Sequence, residues 1–236
     1  GDGDMKVCLD AGHGGTDTSN GAPDGTYKEH EFTHDMQGRI KALLTRHGIG
    51  VMTNGNGLSL TGRATAANTA KADLFVSLHS NAVSGGWNDK TRGLTVWTYA
   101  AGGERDRAAK LLLAEMKQLG IQTFGTELYH QKFTVLAKTN MPAYLIEYAF
   151  HTSRPDVELL LNNAHRDKLA LATAKAICIW GGVKWIDAPT APTKPADGTI
   201  YRVQVGAFSV EENAENLKAE LEGKGYKPFI VKEKRT

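Results

Sequence analysis

Three polar side chains follow directly after apolar, strand-like runs of the sequence. His13 stands in the loop AGHGG after KVCLD, His79 follows LFVSL, and Glu147 follows AYLI. Because the carboxyl ends of parallel strands open onto one rim of a sheet, we expect the three side chains to lie together. A catalytic zinc ion takes three nitrogen or oxygen ligands and keeps a position open for water, so His13 and His79 are candidate ligands. The pattern predicts metal-assisted hydrolysis.

The third zinc ligand has two candidates in the helix that follows. His30–His34 reads HEFTH, which matches the zinc-protease signature HExxH. At about 100° per residue, the apolar stripe of this helix is centred about 50° from Phe32, whereas the two histidines fall at about 160° and 200° and should face solvent. Glu29 falls at about 60°, on the inward face, at a helix N-terminus where the macrodipole favours a carboxylate. Helix phase therefore predicts Glu29 as the third ligand and leaves HEFTH as the alternative.

Five further residues are candidates for supporting the metal ligands or the substrate. Asp10 and Asp17 could orient His13, since metal-bound histidines usually donate their second ring nitrogen to a carboxylate. Arg63 is predicted to clamp a backbone carbonyl or a carboxylate, and Asn81 to brace the loop of His79. Trp87, in the glycine-rich loop SGGWND, could stack on a sugar ring or pack in the core.

The elements that must position these residues alternate between strand-like and helical patterns. The strand-like runs are Lys6–Leu9, Gly50–Thr53, Leu74–Leu78, Leu94–Thr98 and Ala143–Ile146, and FTVLAK is interpreted as a further strand. The helical patterns are Lys28–Arg46, Leu60–Ala70, Glu104–Leu119, Pro155–Leu161 and Ala164–Trp180. This alternation predicts an α/β domain whose mostly parallel, twisted sheet is flanked by helices on both faces.

The composition changes at residues 187–199, DAPTAPTKPADGT, where prolines and small polar residues predict an extended linker. This linker separates a larger domain, residues 5–186, from a smaller one, residues 200–236. The smaller domain is predicted to be a βαβ unit with strands at 200–205 and 226–231. Its helix is expected at 209–221, with Ser209 as the N-cap and Glu212 at N3, a capping-box pattern.

Charge and hydropathy give weak guidance on partners. The 236 residues carry a formal net charge of +2, which predicts no nucleic-acid partner. No apolar run approaches the ~20 residues that a membrane span needs, so we expect no membrane partner. Two cysteines are too few for a disulfide framework, and both lie in apolar runs that predict buried packing.

The candidate residues lie within motifs that resemble the Amidase_3 family of zinc N-acetylmuramoyl-L-alanine amidases. The matching motifs are LDAGHGGTD, the helix that begins at Glu29, LSLTGRATAAN, ADLFVSLHSNA, RGLTVWTY and FTVLAKTNMPAYLIEYAF, and they span almost all of residues 5–180. The resemblance implies that His13, Glu29 and His79 bind Zn²⁺ and that Glu147 is catalytic. The family usually has E-K-D where this chain has E-H-E, so Glu31 remains an alternative to Glu29.

The resemblance also implies a reaction, the hydrolysis of the amide between the lactyl group of N-acetylmuramic acid and L-alanine of the peptidoglycan stem peptide. Zinc would acidify the attacking water, and Glu147 would take its proton and deliver it to the leaving amine. The structural alternative for Glu147 is an ion pair with a nearby Lys or Arg. Two rival functions are a zinc peptidase that uses HEFTH and a catalytically silent wall-binding protein.

The C-terminal sequence VQVGAFSVEENAENLKAELEGKGY resembles a repeat of the SPOR wall-binding domain. The resemblance implies binding to peptidoglycan glycan strands, for which we assign Tyr201, Gln204 and Phe208. A full SPOR domain has two such units, so one half repeat predicts a truncation or a homodimer that pairs two copies. Such a module is typical of an endolysin or a sporulation autolysin. With no signal peptide visible, we expect synthesis in the cytoplasm and action on the wall after lysis or holin-type release.

Overall fold

Six strands form one sheet in the spatial order β2-β1-β3-β6-β4-β5. The computed structural model describes residues 5–187, 204–224, 226 and 228–232. The strands are β1 (Lys6–Ala11), β2 (Gly50–Asn54), β3 (Leu74–Asn81), β4 (Leu94–Thr98), β5 (Thr123–His130) and β6 (Ala143–Phe150). β1, β2, β3 and β6 run parallel, whereas β4 is antiparallel to β6 and parallel to β5. The carboxyl ends of the neighbouring strands β1, β3 and β6 therefore meet at one rim.

Helices cover both faces of this sheet. They are α1 (Glu29–Arg46), α2 (Leu60–Thr69), α3 (Gly103–Gln118), α4 (Thr134–Ala137), α5 (Arg154–Leu161) and α6 (Asn163–Trp180). The main core lies between one face and α1, α3, α5 and α6. A smaller core on the other face packs side chains of α2 and α4 against Cys8, Phe75 and Leu145. The predicted α/β fold with a mostly parallel sheet between helices is confirmed.

The rotation of α1 about its axis is set by four fully buried side chains at a spacing of four residues, Phe32, Met36, Ile40 and Leu44. Burying each contributes about 1.5–3 kcal/mol, so other rotations of the helix are strongly disfavoured. Glu29, the first residue of the helix, lies on the same inward face and is 2% exposed. The apolar stripe thus places this carboxylate against the sheet.

The structure differs from the sequence-based elements in two places. Thr123–His130 forms the edge strand β5, which the sequence did not predict. The interpretation of FTVLAK as a strand is wrong, because Thr134–Ala137 form the helical turn α4. Val135 and Leu136 are both buried against the same small core, which consecutive residues of a strand, facing opposite sides, would not achieve. The other strands and helices predicted within residues 5–186 are confirmed to within a few residues.

The chain divides into two compact units between Ile186 and Asp187. In the second unit, α7 (Glu211–Gly223) is the helix, and its N-cap is Val210 without a side-chain cap. The prediction of Ser209 as N-cap is therefore wrong. The predicted strands fall partly on residues outside the described ones, and the parts that are described, 204–205 and 228–231, belong to no strand. No helix within the described residues is long and apolar enough to cross a bilayer.

Candidate metal centre and active site

The loop that carries His13 approaches the end of β3 closely. A Cβ atom on Gly12 would lie 2.3 Å from the His79 ring, so only glycine lets the two ligand-bearing segments meet. His13 itself has φ of 62°, a left-handed conformation that a non-glycine residue adopts only when its surroundings impose it. Its ring lies edge-on to that of His79, with the centroids 5.2 Å apart.

Glu29 lies between the two histidines. Its Oε1 accepts hydrogen bonds from His79 Nδ1 at 3.0 Å and from the backbone N–H of Ser80 at 2.9 Å. Its Oε2 lies 3.3 Å from His13 Nε2. Burial opposes the charge on Glu29, but hydrogen bonds and attraction from His13 and His79 outweigh it and hold the pKa of Glu29 well below its usual range. The carboxylate is therefore ionised and aimed at both imidazoles.

This donor set fits a zinc ion. One ligand atom from each of His13, Glu29 and His79 lies within 4.8 Å of the others, and two imidazoles with one carboxylate are a usual ligand set for catalytic zinc. Within the described residues, these three form the one group of histidine, cysteine and carboxylate side chains with this spacing. The Oδ2 atom of Asp17 lies 2.7 Å from His13 Nδ1, the ring nitrogen that faces away from Glu29, and can orient the imidazole.

Glu147 lies beside this group, on the adjacent strand. It is the Cα partner of His79 in the parallel pairing of β3 and β6, so both side chains leave the same face of the sheet. Its Oε2 atom is buried and has no hydrogen-bond partner. Burial and repulsion from Glu29 raise the pKa of Glu147 well above its usual range. The structural alternative, an ion pair with a Lys or Arg, is not formed: no described Lys or Arg makes a salt bridge with Glu147.

The two histidines of HEFTH lie outside the group of metal-ligand atoms. The expectation that they face solvent is wrong in part, because His30 and His34 are both half-buried beside Gly14 and Asn56. His34 Nδ1 donates to the backbone carbonyl of His30 at 2.7 Å. Glu31, the alternative ligand, is exposed. The helix phase that favours Glu29 is thus the phase that the structure shows.

Arg63 clamps the loop of His13. Its guanidinium donates to the carbonyl oxygens of His13 (3.0 Å) and Ala11, and it pairs with Asp10 at 2.9 Å. Asp10 accepts a second hydrogen bond from Ser77 Oγ at 2.7 Å. Asp10 therefore acts on His13 through Arg63. The direct contact between Asp10 and the imidazole that the sequence predicted is not formed.

Two other predicted support residues lie near the end of β3 and in the loop that follows it. Asn81 Oδ1 accepts a hydrogen bond from the N–H of its neighbour Ala82, within the segment that follows His79. Trp87 is half-buried against the main core, and the guanidinium of Arg154 lies 4.8 Å from the centre of its ring. The indole therefore packs against the core and Arg154, which is one of the two alternatives predicted from the sequence.

Sequence reasoning missed a buried polar network behind Glu29. Tyr27 Oη donates to Ser80 Oγ at 2.8 Å, and Ser80 Oγ lies 2.9 Å from His151 Nδ1. All three residues are at most 5% exposed, and His151 Nδ1 is 3.9 Å from Glu29 Oε2. The network links three segments of the chain. One precedes α1 and leads to Glu29, one is the end of β3 with His79, and one follows β6, the strand of Glu147. No sequence signal could reveal it, because its members are 53 and 71 residues apart.

The residues assigned to wall binding lie in the C-terminal unit. Tyr201 lies outside the described residues. Gln204 is exposed and donates through Nε2 to the carbonyl of Gly206 at 3.2 Å. Phe208 is 48% exposed, which leaves much of its ring available to a ligand.

Comparisons with known proteins agree with this arrangement. The family model described as N-acetylmuramoyl-L-alanine amidase (Amidase_3) matches residues 7–178, and the SPOR domain model matches residues 197–236. The amidase CwlM of Bacillus licheniformis is 28% identical over 96% of this chain and 85% of its own length. The endolysin of Bacillus phage SPP1 is 32% identical over 84% of this chain and 75% of its own length.

The fold is similar to that of solved amidases. The structure of N-acetylmuramoyl-L-alanine amidase AmiC2 of Nostoc punctiforme aligns with a TM-score of 0.67 at 27% identity, over 77% of this chain and 99% of that chain. The amidase family model covers most of the chain, and the relatives match nearly all of it. The chain therefore belongs to the Amidase_3 family of N-acetylmuramoyl-L-alanine amidases, enzymes that hydrolyse bacterial cell wall, and carries a SPOR domain after its catalytic domain.

Proposed function

We propose that this amidase is zinc-dependent and cleaves the amide between the lactyl group of N-acetylmuramic acid and L-alanine of the stem peptide. The observation that carries the proposal is the convergence of ligand atoms from His13, Glu29 and His79 within 4.8 Å, next to the unpaired buried oxygen of Glu147. Family membership supports the reaction, and this donor set supports the metal.

The protein residues have distinct roles in this reaction. Zinc bound at this site would polarise the scissile carbonyl and acidify the attacking water. His13 and His79 supply neutral ligands, and Glu29 supplies one negative charge. Glu147 accepts a proton from the attacking water and delivers it to the nitrogen of L-alanine as the C–N bond breaks. Its raised pKa suits both steps, because the carboxyl then gains and loses a proton closer to neutral pH.

Digestion of purified peptidoglycan tests the proposal. The protein should release free amino groups of L-alanine without new reducing ends, lose this activity on treatment with a chelator, and regain it on addition of zinc. New reducing ends would indicate cleavage of the glycan and contradict the proposal. Full activity in metal-free protein would contradict the zinc dependence alone.

The two rival functions are tested by the same assay. A zinc peptidase that used HEFTH would lose activity when His30 and His34 are both replaced by alanine, whereas the amidase should retain zinc and turnover. A catalytically silent wall-binding protein would bind peptidoglycan and release no amino groups. The separation of HEFTH from the three convergent ligand atoms favours the amidase.

We also propose that the SPOR domain holds the enzyme on glycan strands of its peptidoglycan substrate, with Phe208 and Gln204 among the contact residues. The exposure of both side chains supports this role. Homodimer formation through this domain stays a prediction, which analytical ultracentrifugation of the full chain would test.

A further inference from the structure

Trp97 lies on the same face of the sheet as Glu147. β4 runs antiparallel to β6, so that Thr95 is opposite Glu147 and Trp97 is opposite Leu145. Side chains alternate along a strand, and directly opposed residues share a face, so Thr95, Trp97 and Glu147 all project to the same side. Trp97 is therefore only two residues, about 7 Å, along the strand from the level of the catalytic carboxyl.

The indole of Trp97 is turned along β4 toward Thr95, the residue opposite Glu147. Its Nε1 donates a hydrogen bond to Thr95 Oγ1 at 3.0 Å. Thr95 is 1% exposed although it is the cross-strand neighbour of Glu147. The indole thus contacts Thr95, the cross-strand neighbour of Glu147.

Two more rings contact this indole, and we call the cluster of Trp97, Tyr129 and Phe133 the aromatic shelf. Tyr129 stacks on Trp97 with centroids 4.7 Å apart and planes at 23°, and Phe133 meets the indole edge-on at 5.5 Å. All three side chains are only partly buried. Helix α3 packs on the opposite face of β4, against Leu94 and Val96, and the helix next to the shelf, α4, has four residues. Trp97 and Phe133 pack in part against the smaller core, and the remaining surface of the three rings stays exposed.

A sugar ring is the part of peptidoglycan that this surface fits best. Binding sites for small polar molecules combine aromatic walls with few polar groups, and the C–H face of a pyranose is apolar. The stem peptide carries free carboxylates, which cations bind better than uncharged rings do. The amide that is cleaved joins a sugar residue to a peptide, so a sugar must lie next to Glu147 in any productive complex.

We propose that the aromatic shelf binds a sugar ring of the glycan strand next to the scissile amide. The proposal rests on the proposed function for the nature of the substrate. It assigns Trp97, Tyr129 and Phe133 to substrate binding, a role that the SPOR domain fills separately elsewhere in the chain.

The test measures binding without turnover. Full-length protein carrying Glu147→Gln is titrated with the peptide-free disaccharide of N-acetylglucosamine and N-acetylmuramic acid, followed by ligand-observed NMR. Adding Trp97→Leu should weaken the shelf-dependent binding about tenfold, equivalent to about 1.4 kcal/mol of lost stacking, and Trp97→Tyr should restore most of it. Binding that survives in all variants belongs to the SPOR domain and is subtracted.

Phe124→Leu is the matched control. Phe124 is also a half-buried aromatic residue of β5, but its ring packs on Phe150 at 5.2 Å and is not part of the shelf. The Glu147→Gln protein that also carries Phe124→Leu should bind the disaccharide with the same affinity as the Glu147→Gln parent. If Trp97→Leu fails to fold, as judged by circular dichroism, Tyr129→Leu replaces it with the same expected loss.

Two results would overturn the proposal. One is equal disaccharide affinity in the shelf variant and its parent, which would make the shelf a packing cluster. The other is weaker binding of the free stem peptide with unchanged binding of the disaccharide, which would place the peptide on the shelf. Both results come from binding and need no turnover. They can therefore be obtained even if the wild-type digest releases no L-alanine amino groups. That separate outcome would refute the proposed function.

Discussion

The environment of the Glu147 carboxyl lowers the stability of the fold and favours proton transfer. Its Oε2 is buried without a hydrogen-bond partner, and burial together with repulsion from Glu29 raises its pKa well above the usual range. An unsatisfied buried polar group costs about 1–3 kcal/mol of stability. A residue that served only the fold would be expected to pair this oxygen, so its environment indicates a chemical role.

Glu147→Gln should remove catalysis without weakening the fold. The amide keeps the shape of the side chain but cannot accept the proton from water, so turnover of peptidoglycan should fall by about 10²–10⁴-fold. The melting temperature should stay level or rise, because the buried carboxyl is replaced by a neutral group, and elemental analysis should still find zinc. Wall hydrolysis near the wild-type rate would refute the catalytic assignment.

Zinc binding should depend on pH through His13. Burial opposes the charge on this imidazole, but the hydrogen bond and attraction to Glu29, with those to Asp17, raise the pKa of His13 to about 9 in metal-free protein. A raised pKa stabilises the metal-free fold fully below the unfolded value of about 6.5, and this contribution is lost as pH rises toward about 9. Since zinc displaces the same proton, its apparent affinity should rise over this window.

Thermal unfolding with chelator and with zinc measures this effect across the same pH range. The difference between the two melting temperatures should widen as pH rises. Asp17→Asn should make the difference less dependent on pH, because it removes one of the groups that raise the pKa of His13. A difference that stays constant from about pH 6.5 to 9 would show that His13 does not exchange its proton for metal.

The candidate ligands could be picked out from the sequence because each depends on a local pattern. His13 and His79 follow apolar strands, and Glu29 lies in phase with the buried stripe of α1. The network of Tyr27, Ser80 and His151 has no such pattern. Its hydrogen bonds form only after distant segments meet, so strand alternation and helix phase carry no information about them.

At the scale of elements, the parts of the fold that escaped prediction lie at the edge of the sheet. β5 contains Gly125 and pairs only with β4, so its residues are half-exposed and do not show the alternation of a buried strand. Glu127, within β5, has φ of 68°, and the pairing with β4 shifts its register. Strands with two neighbours, such as β1 and β3, are almost fully buried and were predicted from their apolar runs.

The loop between β1 and α1 depends on helix α2, because Arg63 of α2 holds its carbonyl groups. Arg63→Lys keeps the charge but loses the planar fork that reaches Asp10, Ala11 and His13 together. Zinc affinity should therefore fall about 10–100-fold, while secondary structure is retained. Arg107→Lys, on the surface of α3, is the control and should bind zinc like the wild type. Equal zinc affinity in the two variants would show that the clamp does not position His13.

At the scale of the whole molecule, the amidase domain and the SPOR domain lie in separate compact units. The catalytic unit buries its large side chains in two cores. The second unit exposes aromatic rings, with Tyr226 at 65%, Phe229 at 70% and Phe208 at 48%. Exposed rings in so small a unit are consistent with a binding surface.

Phe208→Ser should lower the rate on intact peptidoglycan relative to the rate on a soluble muropeptide. An anchor raises the local concentration of enzyme on an insoluble polymer and gives no such advantage with a small substrate. The ratio of the two rates should therefore fall severalfold, together with the fraction of protein that sediments with purified walls. Leu161→Ser, which alters an exposed apolar residue of the catalytic unit, should change neither quantity. An unchanged ratio for Phe208→Ser would separate this residue from wall binding.

The central place of β6 governs when activity can appear during synthesis. β6 is the last strand of the sheet to be translated, yet it lies between β3 and β4 and joins the two halves β2-β1-β3 and β4-β5. A nascent chain can form those halves early, but pairing with a late, central strand is a non-local event that limits the folding rate. Glu147 is part of that strand and is therefore translated with it. We therefore expect hydrolysis to begin only when β6 closes the sheet and brings Glu147 beside His79.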